Sequence, residues 1–124
     1  MNDRLALIIE DDPDLAFIFA EALKAAGFEI EIIQDGKLAL SRLANTNPTV
    51  VVLDLQLPHA SGEQILRQIR TDSRLMKTRV IIASANSLMA ESLRAEADLT
   101  LIKPISFSQL RDLAIRLRPS ELSD

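Results

Sequence analysis

Short apolar runs alternate with amphipathic stretches along the whole chain. Leu5–Ile9 is continuously apolar and stops at Glu10, as a strand buried on both faces does. Asp12-Pro13 then offers an N-cap and a helix-opening proline. Leu15, Ile18, Phe19, Ala22, Leu23 and Ala26 recur at helical spacing up to Gly27, a residue suited to a helix end. Phe28, Ile30 and Ile32 alternate with Glu29 and Glu31, which predicts a half-exposed strand at a sheet edge. Asp35-Gly36 turns the chain into a second helix, with Leu40, Leu43 and Ala44 as its inner face. Val50–Leu53 is the next buried strand and ends at Asp54. Ser61 and Gln64 have capping-box spacing before a helix lined by Ile65, Leu66 and Ile69. Residues 80–83 form another buried strand, ending at Ser84. Residues 88–97 read as a fourth helix with a thin apolar stripe of Leu88, Met89 and Leu93. Leu99–Ile102 is the last strand and runs into Lys103-Pro104. Ser106 and Gln109 repeat the capping-box spacing before Leu110, Leu113, Ala114 and Leu117. The polar end of the chain is expected to fray.

Five strands alternating with five helices imply an α/β fold with a parallel sheet and helices on both faces. Right-handed crossovers favour a doubly wound sheet in the order 2-1-3-4-5, with the second and fifth strands at its edges. At 124 residues the chain is expected to be one domain, its core spanning about 4–118, with 119–124 a tail or linker stub. The content of 48% hydrophobic and 26% charged residues is too apolar for disorder. The absence of cysteine excludes disulfides, thiolate metal sites and cysteine nucleophiles, and a single histidine, His59, excludes a multi-histidine metal site. A net charge of −4, with four phenylalanines and no Tyr or Trp, argues against direct nucleic-acid binding. No apolar run approaches the roughly 18 residues of a membrane span, so no membrane insertion and a cytoplasmic location are expected.

In open α/β sheets, ligands bind beyond the carboxyl ends of the strands. Glu10-Asp11-Asp12 follows the first strand, Asp54 the third, Ser84 the fourth and Lys103 the fifth. Singly, each has an ordinary role. Asp12 caps a helix, Asp54 and Ser84 are turn residues, and Lys103 and His59 are solvated surface. Their combination on one rim is what carries chemistry. Clustered carboxylates repel, and a divalent cation removes the conflict. Oxygen ligands without His or Cys select magnesium or manganese, which retains open positions for phosphate oxygens. A lysine and a serine hydroxyl add two more contacts for those oxygens. This set suits phosphoryl transfer, with Asp54 as a carboxylate able to form an acyl phosphate.

Glu10-Asp11, the stretch Asp54-Leu55-Gln56-Leu57-Pro58 with Gly62, Ser84-Ala85 and Lys103-Pro104 resemble the response-regulator receiver domain of two-component signalling, in the family's order and spacing. The resemblance implies a flavodoxin-like fold and a signalling domain rather than an enzyme. It implies that Asp54 is the phosphoacceptor. Asp11 would bind the metal directly and Glu10 largely through water, with Asp54 and the backbone carbonyl of Gln56 as further ligands. Lys103, before a cis proline bond, would contact the phosphoryl group. Ser84 would be the switch hydroxyl, with the small Ala85 leaving access. Gln56 and Asn86 stand where the family tunes phosphoryl lifetime. Two positions depart from the pattern: Thr100 replaces an aromatic residue three before the lysine, and Glu96 replaces a small glycine. The usual serine–aromatic rearrangement therefore lacks its aromatic partner here.

The implied partners are a sensor histidine kinase or histidine phosphotransfer protein, and a downstream effector or second copy on the 88–117 face. A receiver-fold interaction or dimerisation module that works without phosphorylation is the alternative, supported by Thr100 alone. A phosphohydrolase reading rests on Asp12-Pro13-Asp14, which here opens a helix. A nucleotide-binding reading fails because none of the three glycines, Gly27, Gly36 and Gly62, lies in a phosphate-cradling loop.

Overall fold

A computed structural model describes residues 4–118, so the tail or linker stub expected at 119–124 lies outside the described residues. Five parallel strands form one sheet in the order β2-β1-β3-β4-β5, and five helices cover its two faces. The strands are β1 (Leu5–Ile9), β2 (Glu29–Ile33), β3 (Val50–Leu53), β4 (Arg79–Ser84) and β5 (Leu99–Ile102). The helices are α1 (Pro13–Ala25), α2 (Gly36–Leu43), α3 (Gly62–Thr71), α4 (Ser87–Ser92) and α5 (Phe107–Arg116). Among the described residues, no helix is long and apolar enough to cross a membrane.

Strands β1 and β3 are apolar at every position, and β4 is apolar from Val80 to Ala83, because both faces are covered there. Ala6, Ile8, Val50, Val52, Ile81 and Ala83 face α1 and α5, where Phe19, Leu23, Leu110 and Ala114 close one core. Leu7, Ile9, Val51, Leu53, Val80 and Ile82 face α2, α3 and α4, against Leu43, Ile65, Leu66, Ile69 and Ala90. Each fully buried Leu, Ile or Phe contributes about 1.5–3 kcal/mol, so these two layers hold the fold and fix its register. Ile9 pairs with both Leu53 and Ile33, and Leu53 with Ile82. That register brings the carboxyl ends of β1, β3 and β4 to one level.

Each α-helix starts on a side-chain cap. Asp12 accepts from Asp14 N and Leu15 N, Asp35 from Leu38 N, Ser61 from Gln64 N, Asn86 from Met89 N, and Ser106 from Gln109 N. Gly27, just past the end of α1, has φ +98, a conformation that favours glycine.

Three expectations about local structure differ from what forms. The stretch 88–97 is not one helix: α4 stops at Ser92, and a separate 3₁₀ turn follows at Arg94–Glu96. Ala90 and Leu93 supply the inner contacts there, and Leu88 is 84% exposed, because the short helix turns it away from the sheet. Ala44 is the exposed C-cap of α2 rather than part of its inner face, which is Gly36, Ala39 and Leu43. Ile18 and Ile32 are largely exposed, since Ala16, Phe19, Ala20 and Leu23 fill the space under α1 and β2 lies at the edge. A second 3₁₀ turn, Ser73–Leu75, follows α3 without a clear signal in the hydrophobic pattern.

Candidate functional site

Parallel strands deliver their ends to a common rim, and backbone bonds continue the sheet just past the strands. Glu10 N donates to Ile33 O at 3.0 Å, Asp54 N to Ile9 O at 2.9 Å, and Lys103 N to Ser84 O at 2.8 Å. The residues that carry charge are thus held by the ladder itself. Glu10 is 1% exposed and Asp54 5%, whereas Asp11 is open to solvent. One carboxylate oxygen from each of Glu10, Asp11 and Asp54 lies within 4.8 Å of the other two.

Lys103 closes the pocket from β5. Its Nζ lies 2.8 Å from Glu10 Oε1 and 3.7 Å from Asp54 Oδ2. The closer contact is an ion pair without hydrogen-bond alignment, since Glu10 Oε1 has no aligned donor. The other Glu10 oxygen, Oε2, accepts from Asp12 N at 3.2 Å. The Lys103–Pro104 bond is cis.

Two buried acids and one ammonium leave the charge unbalanced. Burial, above all, pushes the Asp54 carboxyl up to about 7, and the neighbouring Glu10 adds to the rise. The Gln56 N–H, which donates to Asp54 Oδ1 at 3.2 Å, and the Lys103 ammonium pull the other way. Such a group favours whatever cation neutralises it. Carboxylate oxygens gathered without His or Cys form a hard donor set, the kind that takes a divalent cation such as magnesium.

The loop after β3 is built on a close backbone approach. A Cβ on Gly62 would lie 2.4 Å from Asp54 O and 2.5 Å from Leu55 Cα. Only glycine lets the start of α3 pass so near, and Gly62 N donates to Leu55 O at 3.1 Å. Gly36 is similarly confined, its missing Cβ falling 2.1 Å from Ala60 O, while its N–H donates to Pro58 O at 2.9 Å. His59 has φ 71, and its Nδ1 pairs with Asp35 Oδ1. This brace between the loops after β2 and β3 has no signal in the hydrophobic pattern, and His59 remains on the surface, as expected. The His59 ring, aided by the Leu38 N–H, holds the Asp35 carboxyl below its usual range.

The remaining residues of the expected site fall around this pocket. Ser84 is buried; its Oγ accepts from Asn86 N at 3.0 Å and lies 3.4 Å from Asn86 O. Ala85 and Gln56 are exposed at the rim. The Asn86 side chain caps α4, accepting from Met89 N at 3.0 Å. Thr100 stands opposite Ile82 on β5, its Oγ1 enclosed without a hydrogen-bond partner. Glu96 lies 3.8 Å from Arg67 in an ion pair. The structure therefore brings Glu10, Asp11, Asp54 and Lys103 into one pocket, sets Ser84 and Asn86 on the path from β4 to α4, and puts Thr100 on the neighbouring strand β5.

Comparison with known proteins agrees with this geometry. The family model for the response regulator receiver domain matches residues 6–115. The DNA-binding response regulator MtrA of Mycolicibacterium smegmatis is 31% identical over 122 residues, which cover 98% of this chain and 53% of that protein. The chain spans about half the length of the first curated relatives it matches. Among solved structures, the receiver domain of Francisella response regulator 1452 is 28% identical with a TM-score of 0.80, covering 94% of this chain and 97% of that one. The magnesium–beryllofluoride complex of response regulator TrrA from Thermotoga maritima is 26% identical with a TM-score of 0.81, covering 92% and 98%.

Proposed function

The chain belongs to the response regulator receiver domain family, and on that footing we propose that it takes a phosphoryl group from a phosphohistidine onto Asp54. The observation that carries this reading is the convergence of Glu10, Asp11, Asp54 and Lys103 on one pocket at the carboxyl end of the sheet. An Asp54 carboxylate oxygen attacks phosphorus, an O–P bond forms, and the N–P bond to the donor imidazole breaks. The imidazole nitrogen leaves with the electron pair and takes up a proton. Asp54 must be ionised to attack, and the pocket opposes that when metal-free.

Glu10, Asp11, Asp54 and the Gln56 carbonyl would hold magnesium, which neutralises the pocket's acids and the charge on the transferring oxygens when bound. Lys103 sits 3.7 Å from Asp54 and supplies the second positive charge for the phosphoryl oxygens. Its tie to Glu10 keeps the ammonium at the pocket mouth until that anion arrives. Ser84 Oγ turns from Asn86 toward a phosphoryl oxygen, which loosens the start of α4 and alters the α4–β5–α5 face toward an effector or a second copy. The donor is a sensor histidine kinase or a histidine phosphotransfer protein, both of which present phosphohistidine. Gln56 and Asn86 flank the route for attacking water and set how long the acyl phosphate lasts.

The test is incubation with acetyl phosphate or a phosphorylated histidine donor, with and without magnesium, read by intact mass. Magnesium-dependent gain of one phosphoryl group, lost in Asp54→Asn with its fold intact, is the expected result. Uptake retained by Asp54→Asn, or no uptake from any donor, would contradict the proposal. The latter outcome would favour a receiver fold that works without phosphorylation.

A further inference from the structure

The position that departs from the family pattern is also where a polar group is left over. Thr100 Oγ1 is enclosed and has no hydrogen-bond partner. Its pairing with Ile82 sets it on the sheet face that carries Ile82, Ala90 and Leu93, which is the face under α4. Ser84, two residues beyond Ile82, shares that face. An unpaired buried hydroxyl opposes the conformation that encloses it, and favours any other that offers an acceptor.

The two ends of the α4 region are held differently. At the start, Asn86 caps the helix, and Asn86 itself is tied by its N–H to Ser84 Oγ at 3.0 Å. At the far end, Arg70 of α3 donates from Nε to Glu96 O at 2.6 Å and from Nη2 to Asp98 Oδ2 at 2.9 Å, and Arg67 pairs with Glu96. Release of Ser84 therefore frees the beginning of α4 while its end stays fastened to α3. Backbone carbonyls near that beginning are the acceptors a moving α4 can bring to Thr100.

We propose that Thr100 is a positioning residue for a second placement of α4, in which its hydroxyl donates to a backbone carbonyl of the 85–90 segment. The resting placement leaves the hydroxyl unpaired; the placement adopted when Ser84 turns to the phosphoryl group satisfies it. Thr100 thereby lowers the free energy of the second placement relative to the first, in the equilibrium that a ligand at Asp54 shifts. The proposal rests on the phosphoacceptor reading above, because Ser84 is what couples the two sites.

The test compares wild type with Thr100→Val, which removes the hydroxyl at constant shape, and Thr100→Ser, which keeps it. Thermal unfolding is measured without metal, and affinities are measured for magnesium alone and for beryllofluoride in saturating magnesium. Thr100→Val is expected to raise the metal-free Tm by about 2–6 °C, as loss of an unpaired buried hydroxyl does. It should leave magnesium affinity within about twofold and weaken beryllofluoride about three- to tenfold, the size of one net hydrogen bond. Thr100→Ser should keep the wild-type beryllofluoride affinity within about twofold of its own magnesium baseline. A metal-free Tm of Thr100→Val at or below wild type would overturn the proposal, because the hydroxyl would then be satisfied at rest. Unchanged beryllofluoride affinity in Thr100→Val would overturn it too. Failure of wild type to bind beryllofluoride with magnesium is a separate result: it would remove the phosphoacceptor reading and this proposal with it.

Discussion

Asp54→Asn should stabilise the metal-free protein at alkaline pH and lose that advantage in acid. The Asp54 carboxyl titrates at about 7 in the fold, against an ordinary value of 3.8. A carboxyl raised in this way keeps its proton in the folded state after the unfolded chain has lost it. Between pH 4 and pH 7 the folded state therefore binds more protons, and stability falls as pH rises. Above pH 7 the full cost of an ionised, buried carboxylate is present. A rise of about three units at about 1.4 kcal/mol each sets a ceiling of about 4 kcal/mol. Asn keeps the outline of the side chain and the acceptor for the Gln56 N–H, and it cannot ionise. The attraction of Lys103 at 3.7 Å is already contained in that value, and solvent screening and relaxation around the ionised carboxylate bring the net gain to about 1–3 kcal/mol at pH 8.

The measurement is urea unfolding of both proteins in the presence of a chelator, at pH 5 and pH 8. The stability difference should widen in favour of Asn by about 2 kcal/mol between the two, with equal denaturant slopes. Parallel stabilities at every pH, or a variant less stable than wild type at pH 8, would show that the pocket does not penalise the Asp54 charge. The electrostatic account of the site would then be wrong.

Three further outcomes follow from the same geometry. Magnesium binding should release a proton near pH 7, seen as a buffer-dependent heat in calorimetry, and affinity should fall by up to about tenfold per unit below that pH, because the raised Asp54 carboxyl must ionise to bind. Buffer-independent heats would remove Asp54 from the ligand set. Gly62→Ala forces backbone against backbone at Asp54 O and should cost about 1–3 kcal/mol in urea unfolding while weakening magnesium binding. Arg70→Ala removes the guanidinium donors to the carbonyls of Glu96 and Thr78 and one of the three donors to the Asp98 carboxylate, which keeps Val80 N and Arg79; it should cost about 2–3 kcal/mol and speed amide exchange at the start of β5, with phosphoryl uptake retained.

The fold was legible because the layer structure leaves a plain trace. Inner strands buried on both faces must be apolar at every position, and Val50–Leu53 cannot be read otherwise. Caps at Asp12, Asp35, Ser61 and Ser106 mark helix starts by chemistry that is local in sequence. The acid pocket was legible for a topological reason, since a parallel sheet sends every strand end to one side. What escaped depends on contacts between distant segments. Nothing in the sequence near Leu88 says that Ala90 and Leu93 will take the inward positions and split the helix from the turn after it. The His59–Asp35 brace and the ties of Arg70 to Glu96 and Asp98 join residues 24 to 28 positions apart. The closer partner of Lys103 was equally hidden: composition places an amine at the rim, but only coordinates show it nearer Glu10 than Asp54.

That last detail ties stability to signalling. Lys103 is the only cation among the described residues paired with the pocket acids, and it faces two carboxylates. With its ammonium nearer Glu10, Asp54 is left the less compensated of the two buried acids, and it is Asp54 that is pushed toward neutrality. On the proposed function, a second cation would relieve that imbalance and ionise the nucleophile in the same event. A phosphoryl group would then add negative charge beside Lys103 and draw it from Glu10, while Ser84 would be drawn from Asn86. Both moves exchange a contact within the resting fold for one with the anion, so each lowers the cost of moving the start of α4 by one tie. A pocket with perfectly matched charges would be more stable and would have less to gain from either ligand.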